Sequence, residues 1–425
     1  MRLNLNLLLF YLLRQRLRND DEDGSEGLST NSNIDININV DDGVIFALLY
    51  RRKAFHIPSR NQKSFYKTLH LFERRLRRRS IPRDSLQPPH RSSFRKLYES
   101  GNDGALITLT GLDHATFREL SAKFKLYFDD FTPHTLNGKV SPKSSVPKRT
   151  GRPRLIEAID AMGLVLTWTR TRGSRTSLQM IFGMSMQSVS IYLRFGVRIL
   201  IKILQREECA KVKLPDEDKL SNYKRAIKER HPLLNNVWCS MDGLKLELEQ
   251  SPDCVIQEYF YNGWTHGHYV SNVFVFCPDG TIPIACTNVP GSIHDSMVAE
   301  WGGIYDRLET VYNDFGGICV VDSAFCKKDN RYLIKSSQDN PEGAGEFAIN
   351  QEATAMRQSA EWGMRALQAS FPRMKDKFIY EERGERKLVL RMLVLLYNYR
   401  ANKVGINQIR NTYMPALCNN ADVFV

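Results

Sequence analysis

Three carboxylates stand where their surroundings give them something to do. Asp242 lies in Val237–Glu249, where Leu244, Leu246 and Leu248 alternate with Lys245, Glu247 and Glu249. That period of two predicts a strand with one face buried. Asp322 closes a second apolar run, Gly317–Phe325. Glu361 sits in Arg357–Arg365, read as a helix, behind Met356 and Ala360 and ahead of Met364 and Leu367. Its place at the edge of that apolar stripe would let it point across at the strand ends. Carboxylates drawn from distant parts of a chain suit Mg²⁺, a hard ion that takes a few of them plus water and substrate phosphates. Two such ions can activate an attacking oxygen and stabilise a leaving one in an in-line phosphoryl displacement. Each acid also has a plainer use. An aspartate at a strand end serves as a turn or cap residue, and Glu361 has Arg357 and Arg365 four residues away on either side.

The elements that would position these acids follow from periodicity. After the first strand come Tyr269–Cys277, a turn at Pro278-Asp-Gly280 and a returning strand Ile282–Cys286. Residues 295–314 read as one helix with Met297, Trp301, Ile304 and Leu308 on a face. Val320 and Val321 lie in a short buried strand, Tyr332–Ile334 is a further candidate, and Arg386–Arg400 is an apolar helix. Antiparallel strands, a helix, a strand and then helices imply an α/β layered domain with a mixed sheet.

Upstream, residues 155–206 read as all helical: Leu155–Thr171, Ser177–Phe182 and Met186–Gln205, with Gly183-Met-Ser185 as a turn. Two helices joined by a short Gly-containing turn match helix-turn-helix geometry. The third helix would then offer Gln187, Ser188 and Ser190 to DNA, with Arg194 one turn on; the alternative is a bundle that braces the next domain. Asp113 is the expected cap of a helix carrying Phe117, Leu120, Phe124 and Tyr127. These signals divide the chain into an N-terminal arm over 1–100, a helical segment over 101–132, a linker over 133–154, a helix-turn-helix-like domain over 155–206 and an α/β domain over 235–414.

Charge points to a polyanionic partner. The chain of 425 residues carries 60 Lys and Arg against 47 Asp and Glu, and residues 51–100 hold fifteen of the bases against three acids. This block, centred on Arg74, Arg75, Arg77, Arg78 and Arg79, reads as a DNA-binding arm or a nuclear-entry signal, or as a solvated basic linker. The Asn-, Asp- and Ser-rich stretch 19–43 before it reads as disordered. Gly151-Arg152-Pro153 between basic residues can lie in a minor groove or serve as linker. Eight cysteines without a C-x-x-C pair read as reduced thiols of an intracellular protein. The apolar Met1–Leu13 runs straight into Arg14, Arg16 and Arg18 with no small-residue cleavage site, so it is not read as a signal peptide, and no run reaches membrane-spanning length.

Over about 155–414 the sequence resembles the PIF/Harbinger class of DDE transposases and their domesticated nuclease relatives. The residues that carry the resemblance are Met241-Asp-Gly243, Tyr261-Asn-Gly-Trp264, Pro290-Gly-Ser-Ile-His-Asp-Ser296, Val321-Asp-Ser-Ala-Phe325, Arg357–Arg365, Asn398-Tyr-Arg400 and Val404-Gly-Ile-Asn-Gln408. The resemblance implies an RNase H-like mixed sheet flanked by helices, with Asp242, Asp322 and Glu361 as the catalytic, metal-holding triad. The gap from Asp322 to Glu361 is short for such transposases and Trp362 is unusual after the glutamate, which leaves Glu346 and Glu352 open as third acids. His294-Asp295 also matches a family motif and is read as capping the next helix or supporting the site. The implied activity is cleavage of phosphodiester bonds at transposon ends and transfer of the strand to target DNA. Mg²⁺ is the implied cofactor, with Mn²⁺ able to substitute. The implied partners are DNA, a Myb-like protein of the same element and further copies of the chain, in the nucleus. The rival reading is a domesticated DNA-binding protein on the same fold without transposition activity.

Overall fold

A computed structural model describes residues 81–131, 154–251, 253–325, 331–336, 344–379 and 383–415. The described residues belong to one compact unit. Its first half is helical: α1 (Ser93–Glu99), α2 (Asp103–Thr110), α3 (His114–Asp130), α4 (Ala158–Arg170), α5 (Arg175–Phe182), α6 (Met186–Leu204) and α7 (Glu217–Arg230). The cap expected at Asp113 is present, its carboxylate accepting the Thr116 N–H at 2.8 Å. The turn between α5 and α6 is also as read: Gly183 is left-handed at φ 64°, and Ser185 caps α6 by accepting from the Ser188 N–H. Helix α1 falls inside the stretch assigned to the basic arm. Composition hides it, because Phe94 is its one fully buried residue, filling the space left by Gly163 of α4. Arg95 then pairs with Asp160 at 2.6 Å.

The second half is a six-stranded mixed sheet. It contains β1 (Val237–Glu247), then α8 (Cys254–Phe260), β2 (Tyr261–Asn262), β3 (Gly267–Phe276) and β4 (Ile284–Pro290). Helices α9 (Asp295–Trp301) and α10 (Ile304–Phe315) lead to β5 (Ile318–Asp322) and β6 (Leu333–Ser336). Long helices α11 (Ala344–Ser370) and α12 (Arg383–Lys403) and the short α13 (Gln408–Tyr413) close the unit. β1 is central, antiparallel to β3 and parallel to β5; β4 and β2 both pair the far edge of β3, and β6 runs parallel to β5. The result is an RNase H-like fold, a mixed sheet flanked by helices, as the sequence led us to expect.

The pleat of β1 sorts its residues between two cores. Leu246 and Leu248 join Phe274, Phe276, Val320 and the apolar residues of α11 and α12. Cys239 and Met241 join Val273, Val275, Val321 and the apolar residues of α7, α9 and α10. The first core is continuous with that of the helical half, which it meets where α6 packs on α12. Polar ties cross the same junction: Arg170 donates to the Ser370 carbonyl at 3.0 Å, Arg400 to the Gly111 carbonyl at 2.7 Å, and Arg198 pairs with Glu385 at 2.6 Å. Helix α6 is therefore a brace for the sheet domain, one of the two roles its sequence left open. The single helix expected over 295–314 is two, broken at Gly302-Gly303, with Gly303 at φ 61°. Met297 and Trp301 fitted one apolar face by spacing, but they are 46 % and 63 % exposed.

Candidate active site

Asp242 and Asp322 are brought together by strand pairing. The parallel register sets Met241 beside Val321, so the two aspartates stand side by side one residue further on. Both follow the pleat of Ser240 and Val320 onto the sheet face covered by α11. Ser240 and Ser359 share a buried hydroxyl hydrogen bond of 2.7 Å, which fixes α11 against β1 two residues from each acid. Gly363 lets the helix come this close, since a Cβ there would lie 2.5 Å from the Phe276 ring. Glu361, between those two contacts, is thereby held close enough to act on Asp242.

The electrostatics record the convergence. Burial pushes the Asp242 carboxyl up to about 6; the Gly243 N–H and Arg357 pull it down, while the charges of Asp322 and Glu361 push it further up. Each acid also has a local partner. Asp242 accepts the Gly243 N–H at 2.7 Å and Asp322 the Ser323 N–H at 2.8 Å. Glu361 pairs with Arg357 at 3.1 Å and lies 3.9 Å from Arg365, the plainer use its sequence suggested. The other third acids are less well placed. Glu346 is exposed, and Glu352 accepts the Leu233 N–H at 2.8 Å, nine residues and roughly 13 Å along the helix from Glu361.

Sequence reasoning underweighted two neighbours. Arg357 is close enough to act on Asp242 as well as Glu361. Asp295 does not cap α9; His294 does, accepting the Ser296 N–H. Asp295 instead lies against Gly243, and its Oδ1 is buried with no hydrogen-bond partner among the described residues. Burial raises its carboxyl, Lys245 and His294 lower it, and Asp322 raises it. The available signal was the pair of glycine-containing motifs, Asp242-Gly243 and Pro290–Ser296, both already singled out.

Among the described residues, no three Asp, Glu, His or Cys side chains stand close enough to enclose one ion. The chemistry of the donor set nevertheless fits a divalent cation. The donors are hard carboxylate oxygens, like charges crowd one partly desolvated position, and one buried carboxylate oxygen lacks a partner.

The residues proposed to touch DNA divide into two groups. Arg74, Arg75, Arg77, Arg78, Arg79 and Arg152 lie outside the described residues. Gln187 and Arg194 are exposed on α6, whereas Ser188 is half-buried with its hydroxyl 2.9 Å from that of Ser185. Arg194 lines a cleft of about 170 Å³ with Arg175, Arg373 and Lys377, where α6 faces the segment before α12. The six described cysteines form no disulfide; Cys326 and Cys418 lie outside the described residues. No helix among the described residues is long and apolar enough to cross a membrane.

A central strand carrying Asp242 and a parallel neighbour ending in Asp322, beside the helix that bears Glu361, bring three carboxylates of an RNase H-like fold into one neighbourhood. Residues 241–398 match the family described as DDE superfamily endonuclease, a span that runs from the residue before Asp242 to Asn398 and contains Asp322 and Glu361. No curated protein and no solved structure matches the chain. The match supports a DDE-type endonuclease, a class that implies DNA as substrate and generally uses divalent metals.

Proposed function

We propose that the protein is a metal-dependent DNA endonuclease and strand transferase of the PIF/Harbinger type, with Asp242, Asp322 and Glu361 as its metal-holding carboxylates. What carries this reading is the parallel register of β1 and β5, which sets Asp242 beside Asp322 under the helix that bears Glu361. The matched endonuclease segment spans all three residues. A bound pair of Mg²⁺ or Mn²⁺ ions would supply Lewis-acid activation of the attacking oxygen and charge neutralisation at the leaving one. The chain's own residues hold and orient. The two aspartates, on adjoining strands of a buried sheet, are preorganised to within the pleat of the ladder. Glu361 would complete the set of residues that hold the ions. Arg357, its partner at 3.1 Å and close enough to act on Asp242, would be placed to meet a substrate phosphate.

For DNA retention we assign the exposed Gln187 and Arg194 of α6, with Ser188 in support, and the arginines of the N-terminal arm with Arg152. Binding that rests on such contacts falls steeply with salt. A nuclear location, a Myb-like partner and self-association belong to the same proposal.

One observation favours a second reading. Glu361 is engaged by Arg357 and Arg365, as it would be in a domesticated DNA-binding protein that keeps the fold without the chemistry. The test is cleavage of terminal-inverted-repeat DNA with Mg²⁺ or Mn²⁺ by the wild type, Asp242→Asn, Asp322→Asn and Glu361→Gln. We expect each substitution to lower the rate by about a hundredfold or more, the scale of losing one preorganised electrostatic group. Equal rates in all four would sink the triad. Retained DNA binding without cleavage in any would establish the second reading.

A further inference from the structure

We propose that Asp295 is a fourth carboxylate of the metal site, reaching it from the opposite face of the sheet through the gap that Gly243 leaves open. The inference rests on the triad reading above and extends it to a residue outside the triad.

The pleat puts Asp242 on the α11 face and Gly243 on the α9 face, with Met241 and Lys245. Helix α9 begins at Asp295 and sets its carboxylate against the Gly243 backbone. A Cβ on Gly243 would lie 2.6 Å from Asp295 Oδ2 and 2.8 Å from its Cγ, so any side chain there would displace it. The approach is fixed from behind. Asn262 donates to the Gly291 carbonyl at 2.8 Å and Ser292 to the Tyr259 carbonyl at 2.8 Å, which pins the turn that delivers Asp295.

Two ordinary explanations for the residue fail. Helix capping is done by His294, whose side chain takes the Ser296 N–H. Hydrogen bonding does not account for it either: Oδ1 is buried and has no partner among the described residues. Leaving a carboxylate oxygen so placed costs free energy unless a cation or a donor meets it. Lys245, two residues along the same face, contributes charge attraction, but Asp322 opposes it from the end of β5.

The topology shows how acids on two faces can serve one site. β5 stops at Asp322, and its pairing with β1 ends at Met241 and Val321. From Gly243 to Leu246 no described strand lies beside β1 on that edge, which is covered again only where Phe378 bridges Leu248. Carboxylates above and below the sheet can meet around an open edge, which a continuous ladder would prevent.

Mn²⁺ binding to the full-length chain, followed by electron paramagnetic resonance and by calorimetry, tests the inference without DNA or turnover. Asp295→Asn should weaken binding by about 10- to 100-fold, as loss of a supporting group at a metal site does. Gly243→Ala should weaken it similarly by displacing the carboxylate. Without metal, Asp295→Asn should melt no lower than the wild type, because a partly desolvated charge whose Oδ1 makes no hydrogen bond among the described residues has been removed. Asp242→Asn is the control. Loss of binding in Asp242→Asn with wild-type binding in Asp295→Asn would overturn the role of Asp295 alone. A lower melting temperature in metal-free Asp295→Asn, with affinity unchanged, would make Asp295 a structural residue. A wild type that binds no Mn²⁺ would overturn this inference and the triad together.

Discussion

The two faces of the sheet are covered by helices, but in different ways. On one face α11 lies across β1, β3, β5 and β6 as a single long helix, locked by Ser240–Ser359 and by the close approach at Gly363. On the other, α9 and α10 are short, jointed at Gly302-Gly303, and α9 carries Trp301 and Met297 into solvent. The rigid face bears Glu361; the jointed face bears Asp295. Catalytic geometry demands that supporting groups be held tightly, so precision is expected of the first face and adaptability of the second.

That contrast can be broken or sharpened by substitution. The largest effect should come from Gly363→Val, whose side chain meets the Phe276 ring. Overpacking of this kind costs about 1–3 kcal/mol or more, and cleavage should fall with it as Glu361 is lifted from the strands. Denaturant unfolding and the cleavage rate check both; a variant as stable and active as the wild type would mean that α11 is not locked. Ser240→Ala should cost about 1–2 kcal/mol by leaving the buried Ser359 hydroxyl with only its weak 4.0 Å contact to Met356 Sδ. The double change Ser240→Ala with Ser359→Ala should recover part of that loss. Additive losses in this cycle would show the pair to be uncoupled.

The smallest effect concerns pH. Burial lowers the His231 pKa below its usual value, with Glu352 raising it and Arg230 lowering it, and the ring lies 3.1 Å from the Tyr413 hydroxyl. A histidine depressed in the folded state binds protons more readily when unfolded. Its contribution to stability is therefore complete above about pH 6.5 and is lost as pH falls below it. His231→Gln should flatten the stability profile below pH 6.5, measured by thermal melting; an unchanged acid limb would assign that loss to other groups.

Much of this was legible in the chain. β1 announced itself by alternation and β3, β4 and β5 as apolar runs, with Asp242 inside the first and Asp322 closing the last, whereas the two-residue β2 gave no signal. The helix-turn-helix shape was legible from Gly183 and Ser185. What was not legible depended on contacts between distant residues. Helix α1 depends on Phe94 meeting Gly163, sixty-nine positions away. The break between α9 and α10 was masked because Met297, Trp301, Ile304 and Leu308 keep helical spacing on both sides of it. The brace role of α6 could not be told from a DNA-reading role, because both demand an amphipathic helix after a tight turn. The pair His294-Asp295 reads in the sequence as capping the next helix or supporting the site, and only the folded contacts show that His294 takes the cap while the Asp295 carboxylate meets Gly243.

The continuous core between α6 and α12 sets a condition on how this chain can be cut and recombined. A fragment that begins at the first strand would carry α12 with the partner of its apolar face removed, leaving residues such as Leu393 and Leu396 open to water. Such a fragment invites aggregation, and the ends of the matched segment are poor places to join it to another protein. Any transplant of this site must bring the helical half with it, as a building is moved with the wall it leans on.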